Sequence, residues 1–435
     1  MTDIAMPIVE VCEWKSCDRP DLNLTADDRA LAKSLAQEGK CRLIVEERRR
    51  GIRITARSWV GVVRFTEFEV HVRPKLAGDN LRLLQMIEFT TGLNTLKHYS
   101  SVLKLAAGGG NLLDLIMLMF VEECERILRG GLLSDYVEEE EELPVVRGRM
   151  LFDRQIRKRL GRLDLIHCRH DERKQDVPEN QLLAYVLDVC ARHAFQPTLR
   201  RKARQLEHHL LGSCDPSLLD LVTTRGGIYY DRMNEHYRDA HELCWLIVDA
   251  LGISDIYSSG SSRIFAFLLD MNRLFEVFVL QVLRQLTSTT ALKVSYQSSD
   301  RSIIRDSATN QPYSSVIPDF LIAAPSLSGK LVLDAKYKLY DAAGVSNSDI
   351  YQSFFYAYAF GRHQLGGHVA GLIYPSESTT ASRKELTVRS QFNANAARVV
   401  LIGLPIPAVL DEAKSHVWGP ATAPLQTFLA EFNKA

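Results

Sequence analysis

Hydrophobic and polar positions alternate with period two from Cys41 to Pro74, in segments such as CRLIVEE, GIRITA and GVVRFTEFEVHVRP punctuated by Gly51 and Gly61. That pattern predicts a small antiparallel sheet with one face buried. The period then lengthens. Asn80 to Leu93 reads as a helix, and a longer one is expected from about Asn111 to Leu128, stopped by Gly130–Gly131. Helical patterns return from Glu179 to about Leu211 and from Asp231 to Leu251. The run SSGSS, Ser258 to Ser262, is the best linker candidate and sets the main boundary near 250–260. Beyond it, RIFAFLLDMNRLFEVFVLQVLRQL reads as one strongly apolar helix, followed by strand-like segments and a further helix, an α/β order. Two of those segments, VIPDFLIA (Val316–Ala323) and KLVLDAKYK (Lys330–Lys338), flank the turn-rich APSLSGK and predict an antiparallel hairpin.

Charge changes the picture locally rather than globally. Lys plus Arg and Asp plus Glu number 53 each in 435 residues, which excludes a general polycation that coats nucleic acid or membrane. Yet Glu138 to Glu142 are five consecutive glutamates, and Arg147 to Arg162 then holds seven basic residues against one acid, Asp153. Such a run is commonly a solvated helix face, and it also suits a phosphate-contacting DNA surface. The eight cysteines include no C-x-x-C pair, so reduced thiols are expected rather than a disulfide scaffold or structural zinc. His167, Cys168 and His170 in IHCRHDE, like His208–His209, are expected to be structural or surface residues. The longest apolar stretch, Leu112 to Val121, is interrupted by Asp114 and falls short of the roughly 20 residues of a membrane span. With no signal-peptide pattern at the start, a cytoplasmic location is expected.

The hairpin carries the candidate chemistry. Alternation along a strand puts Asp334 and Lys336 on one face, and Asp319 on the neighbouring strand can join them. Charges are rarely buried in apolar strands without partners. Two carboxylates and a lysine form a hard-cation site suited to Mg²⁺, which would activate water for attack on a phosphodiester. Lys336 would orient or deprotonate that water, or stabilise charge on the phosphate. The alternative is a surface hairpin with an ion pair. Glu276, inside LFEVFVL, needs a cation or a donor: a metal, Arg273 or Arg284. Gln352 and Tyr356, four apart in SDIYQSFFYAYAFG, share a helix face as phosphate contacts or as a polar seam. The chain has no G-x-x-x-x-G-K-[ST]; SLSGKL at 326–331 lacks the first glycine and the Ser/Thr, so it is not expected to bind nucleotide through a P-loop.

A P-D, strand, D-A-K succession followed by a Q-x-x-x-Y helix resembles the PD-(D/E)xK nuclease fold, and more narrowly the McrC family, nuclease subunits of McrBC-type modification-dependent restriction systems. The stretches that carry the resemblance are HVRPKL at 71–76, RGGLLSDYVEEEEELPVVRGRMLFDRQI at 129–156, ENQLLAYVL at 179–187, FAFLLDMNRLFEVFV at 265–279, IPDFLI at 317–322, LVLDAKYK at 331–338 and DIYQSFFYAYA at 349–359. The resemblance implies a nuclease core of Asp319, Asp334 and Lys336, with Glu276 as a helix acid, Gln352 and Tyr356 as an auxiliary motif, Asp319 and Asp334 as ligands, and Mg²⁺ as cofactor. It implies a GTP-dependent McrB-like AAA+ hexamer as partner, whose GTPase this chain would stimulate, and double-stranded DNA with modified bases as substrate. On this reading the arginine-rich stretch, with Arg154, Arg157 and Arg159, reaches into the partner ring. The fold expected is an α+β N-terminal half, a small antiparallel sheet plus helices, and a C-terminal α/β restriction-endonuclease-like domain. The domains would be 1–110, β-rich; 111–255, helical and partner-docking; and 256–435, the endonuclease. The first 40 residues match nothing in the resemblance. The rival functions are a non-catalytic activator of an NTPase ring and a stand-alone repair or recombination nuclease.

Overall fold

The computed structural model describes residues 6–37, 41–93, 96, 100–160, 162, 164–251, 264–324, 329–338, 340–361, 368–389 and 395–434. The proposed SSGSS linker lies outside these residues, as do residues 325–328 of the turn-rich APSLSGK segment. Contacts divide the chain into two compact units: residues 1–93 with 262–435, and residues 94–261. These units differ from the expected division at 110 and 255. The first 93 residues belong with the last part of the chain.

One segment explains the difference. Phe265–Asp270, expected as the start of an apolar helix, is a strand, and the helix begins only at Met271. A short, wholly apolar run cannot be assigned by periodicity, because a fully buried strand and a buried helix look alike. This strand pairs antiparallel with Trp59–Arg64, completing a sheet in the order Ile8–Cys12, Glu69–Arg73, Trp59–Arg64, Phe265–Asp270. Gly61 makes the approach possible: its φ is +150°, and a Cβ there would sit 2.0 Å from the carbonyl oxygen of Phe267. A second sheet, in the order Ser16–Arg19, Ile52–Ala56, Leu43–Glu47, shares the same core. Helix Ala26–Leu35 closes it with Leu31 and Leu35. A capping box starts that helix, Thr25 with Asp28, and Asp28 also accepts from Thr66 N at 2.9 Å.

The rest of this unit is built on a six-stranded mixed sheet: Lys293–Tyr296, Phe320–Ala323, Lys330–Ala335, His368–Pro375, Asn395–Leu404, Ser382–Arg389. The three central strands from Lys330–Ala335 to Asn395–Leu404 run parallel, and their burial matches their near-continuous apolar sequences. The expected hairpin is present, with Phe320 opposite Leu333 and Ala323 opposite Lys330. Helix Met271–Thr287 lies beside helix Asn80–Thr91, with the rings of Phe278 and Phe89 5.4 Å apart. Helix Asn347–Phe360 packs on the parallel strands.

In the other unit, helices Leu112–Gly130, Pro178–His193, Pro197–Leu211 and Arg238–Leu251 pack together. The expected continuous helix from 179 to 211 breaks at Pro197, which opens the second helix. Asp114, the interruption in the apolar run, is buried and accepts from the backbone N–H groups of Phe195 and Gln196 at 2.7 and 3.2 Å, satisfying the break.

From these helices rises a charged three-stranded sheet. The five glutamates lie on strand Asp135–Leu143, paired antiparallel with Ile166–Lys174, which also pairs with Arg149–Met150. Asn180 pins both roots of this hairpin: its amide donates to the carbonyls of Leu133 (2.9 Å) and Gln175 (2.7 Å), while Tyr237 donates to its oxygen at 2.8 Å. Gly148, at φ +68°, lies where a Cβ would be 2.4 Å from the Arg169 carbonyl oxygen, so the turn needs glycine. Among the described residues no helix is long and apolar enough to cross a membrane.

Candidate active site

The hairpin register sets the site. Phe320 faces Leu333, so one step further Asp319 lies opposite Asp334, and both carboxylates share a face. Asp319 Oδ2 accepts from the Ala335 N–H at 2.8 Å. Asp334 is 2% exposed. Its Oδ2 lies 2.9 Å from Lys336 Nζ, while its Oδ1 is buried with no hydrogen-bond partner among the described residues. Burial, and then the charge of Asp334, push the Asp319 carboxyl up to about 7. Burial also raises Asp334, against the opposing pull of Lys336. For Lys336 burial works against the ammonium, but the charges of Asp334 and Asp319 outweigh it and hold the pKa above the ordinary lysine value.

Glu276, on helix Met271–Thr287, faces the same cluster, since its charge contributes to the rise at Asp319. Its donor is Gln297, whose side-chain amide reaches Oε1 at 2.7 Å and whose backbone N–H donates to the Asp319 carbonyl at 2.9 Å. Gln352 and Tyr356 are joined, amide to hydroxyl, at 3.0 Å, and Tyr356 donates to the Ile317 carbonyl at 3.4 Å. The charges of Asp334, Asp319 and Lys336 are all felt at the Tyr356 hydroxyl. Six of the residues singled out from the sequence, 276, 319, 334, 336, 352 and 356, therefore gather in one place.

Arg154 and Arg157 are elsewhere, exposed on helix Phe152–Arg159 of the other unit. Arg154 pairs with Glu140 of the adjacent strand. The Arg159 side chain lies outside the described residues.

Two supporting groups escaped the sequence reading. Tyr337, between Lys336 and Lys338, points away from the site and donates to Glu13 Oε1 at 2.7 Å. Glu13 is fully buried and also accepts from the backbone N–H groups of Lys75 (2.6 Å) and Leu76 (3.0 Å). The unmatched first 40 residues thus hold the acid–lysine strand from behind. Asp349 is 5% exposed and accepts from Lys338 Nζ at 3.0 and 2.7 Å, from Ser346 and from Tyr340. Burial opposes its charge, yet these donors hold its carboxyl below the usual range. Lys338 is thereby paired outside the cluster. Glu13 had no signal in the sequence beyond a charge in a strand-like run, whereas Asp349 carried one as the last residue of SNSD, Ser346 to Asp349, a helix-start pattern.

The donor set fits a hard divalent cation. Two carboxylates that cannot both ionise comfortably, one carrying a buried orphan oxygen, with a third acid close by, are short of positive charge.

The fold and this centre define a mixed α/β protein with buried carboxylates and a lysine gathered at the ends of two neighbouring strands. Residues 54–375 match the family described as McrBC 5-methylcytosine restriction system component, and the chain belongs to that family. No curated protein matches it. Two solved structures are similar, both from Thermococcus gammatolerans. One is described as a refined half-complex from a tetradecameric assembly of McrB AAA+ hexamers with bound McrC; the match covers 94% of this chain and 100% of that one, with a TM-score of 0.62 and 17% identity. The other is a cryo-EM structure of the McrBC complex, covering 64% of this chain and 88% of that one, with a TM-score of 0.50 and 21% identity. At these identities the likeness is one of fold.

Proposed function

We propose that this chain is the Mg²⁺-dependent endonuclease subunit of a GTP-driven, modification-dependent restriction complex, with a PD-(D/E)xK centre. The observation that carries the reading is the convergence of Asp319, Asp334 and Lys336 at a buried position where Asp334 Oδ1 has no partner. Asp319 and Asp334 would hold the cation, with Glu276 as the third acid. The ion supplies activation of water and neutralisation of the phosphodiester. Lys336, kept as an ammonium, stabilises charge developing on the phosphate oxygens. Gln352 and Tyr356 line the approach to the centre and orient the strand being cut.

The second half of the proposal is a partner, a McrB-like AAA+ GTPase hexamer acting in the cytoplasm on double-stranded DNA with modified bases. The unit of residues 94–261 docks on that ring and stimulates its GTP hydrolysis. Helix Phe152–Arg159 supports this reading: Phe152, Ile156 and Leu160, four apart, are 66%, 57% and 79% exposed beside Arg154 and Arg157. An exposed apolar stripe edged by arginines suits a protein interface better than a solvated face. The description of the Thermococcus gammatolerans structure, McrB hexamers with bound McrC, supports the same partner.

The test is cleavage of modified duplex DNA by the full chain, with and without the GTPase partner, using native protein and Asp334→Asn. Cleavage that needs both partner and Asp334 is the expected result. Cleavage by Asp334→Asn at the native rate would overturn the site. Stimulation of GTP turnover without any cleavage by the native chain would favour the non-catalytic activator.

A further inference from the structure

We propose a second metal site, for a divalent transition metal such as Zn²⁺, on the charged hairpin, with Glu139, Glu141 and His170 as ligands. Strands Asp135–Leu143 and Ile166–Lys174 pair with Glu139 directly opposite His170 and Glu141 opposite Cys168. Opposed residues share a face, and so do residues two apart, so the two carboxylates and the imidazole project together. One ligand atom from each of the three lies within 4.8 Å of the others.

Acidic groups on a hairpin mean little by themselves. His170 makes the difference. It is 5% exposed, and among the described residues neither Nδ1 nor Nε2 has a hydrogen-bond partner. Buried polar groups are nearly always satisfied, and a buried imidazole with both nitrogens unmet, set against two carboxylates, is a ligand in want of a cation. Lys174 pairs with Glu139 at the flank, but a lysine ammonium beside one carboxylate leaves the imidazole unserved.

The donor set selects the metal. One imidazole nitrogen and two carboxylate oxygens suit a borderline cation; Mg²⁺ prefers an all-oxygen shell with retained water, and a thiolate is not among the three. The ligands also explain why spacing along the chain concealed the site. His167, Cys168 and His170 look like a weak zinc motif and are not one; alternation sends His167 to the other face, where Nε2 lies 3.2 Å from Glu142. The partners of His170 come instead from the glutamate run of the neighbouring strand. A cation there would join the two strands near mid-length and neutralise part of a face crowded with carboxylates.

The full chain, stripped with chelator and kept in excess Mg²⁺ to fill the nuclease centre, is titrated with Zn²⁺ by calorimetry and with Co²⁺ by visible absorption. One equivalent should bind, at least tenfold more weakly in His170→Ala and in Glu139→Gln, and Zn²⁺ should raise the melting temperature of the native chain but not of these variants. Asp334→Asn should bind Zn²⁺ as the native chain does, which separates this site from the nuclease centre. Should His170→Ala fail to fold, Glu141→Gln, an exposed position, carries the same expectation. Absence of stoichiometric binding, binding that survives the ligand variants, or binding lost only in Cys168→Ser would overturn the proposal.

Discussion

The acid–lysine cluster in the unit of residues 1–93 and 262–435 holds few charges, deeply buried, whereas charge on the hairpin of residues 94–261 is dense and largely paired. Asp334 keeps a buried oxygen without a partner. On the hairpin, Glu138 and Glu140 meet Arg169, Glu139 meets Lys174 and Glu140 also meets Arg154. The long run of charge that dominates the sequence thus marks a surface whose ion pairs contribute little each. Asp319, Asp334 and Lys336, gathered at the ends of two apolar strands, mark a place where folding tolerates an electrostatic cost. On the proposed reading the nuclease chemistry sits there and not where charge is densest.

The largest effect expected from breaking the contrast is on catalysis. Lys336→Ala should lower DNA cleavage by roughly 10²- to 10³-fold, the usual loss when a transition-state charge stabiliser is removed. The same change on the hairpin, Lys174→Ala, should leave cleavage within about twofold, since it removes a surface ion pair with Glu139 and no group of the nuclease centre. Single-turnover cleavage of a fixed duplex by the partner-loaded protein measures both.

Next in size is the seam between the first 93 residues and the strand at 265–270. Gly61→Ala should destabilise its unit by about 3 kcal/mol or more, because a Cβ meets the Phe267 carbonyl. Denaturant unfolding checks this. An unchanged midpoint would mean that Phe265–Asp270 does not pair there.

The two units should also respond to pH with opposite sign. Burial and the charge of Asp334 raise Asp319 from the ordinary 3.8 to about 7, so between about 4 and 7 the folded state binds more protons than the unfolded state, and metal-free stability contributed by this group falls as pH rises. His241 is buried, donates from Nε2 to the Glu179 carbonyl at 3.1 Å and accepts at Nδ1 from Tyr230 at 2.9 Å. Burial lowers it to about 4. Between 6.5 and 4 the unfolded chain binds more protons, so stability falls as pH drops, by roughly 3 kcal/mol over that window. Stability measured against pH for the native chain, Asp319→Asn and His241→Asn should show the first variant removing the falling limb and the second the rising one. Parallel curves for all three proteins would contradict the assignment of both groups.

Smaller again is Asn180→Ala, which frees the Leu133 and Gln175 carbonyls at the roots of the hairpin and should cost about 2 kcal/mol. Hydrogen exchange should show the loss confined to the unit of residues 94–261.

The site was more legible than the fold around it, for reasons of range. Asp319, Asp334 and Lys336 lie at the ends of two strands close together along the chain, and Gln352 and Tyr356 follow on the next long helix, so local period and the turn-rich sequence between the strands pointed to their convergence. Phe265–Asp270 reads as helix in the sequence because its pairing with Trp59–Arg64 reaches across nearly half the chain and leaves no periodic mark. Glu13 was invisible for the same reason: its partners are Tyr337, Lys75 and Leu76. The glutamate run was visible, but strand pairing, not its own sequence, decides that it faces His170 rather than solvent alone.

The separation of the two regions is tested most directly by measuring GTP turnover and DNA cleavage side by side on two variants reconstituted with the GTPase partner. Asp334→Ala should abolish cleavage and leave GTPase stimulation intact. The combined change of Arg154, Arg157 and Arg159 to Ala should reduce stimulation and ring docking, and lose cleavage only in proportion. If the arginine variant stimulates GTP turnover fully but no longer binds DNA, or if Asp334→Ala still cuts, the assignment of recognition to one unit and chemistry to the other is wrong.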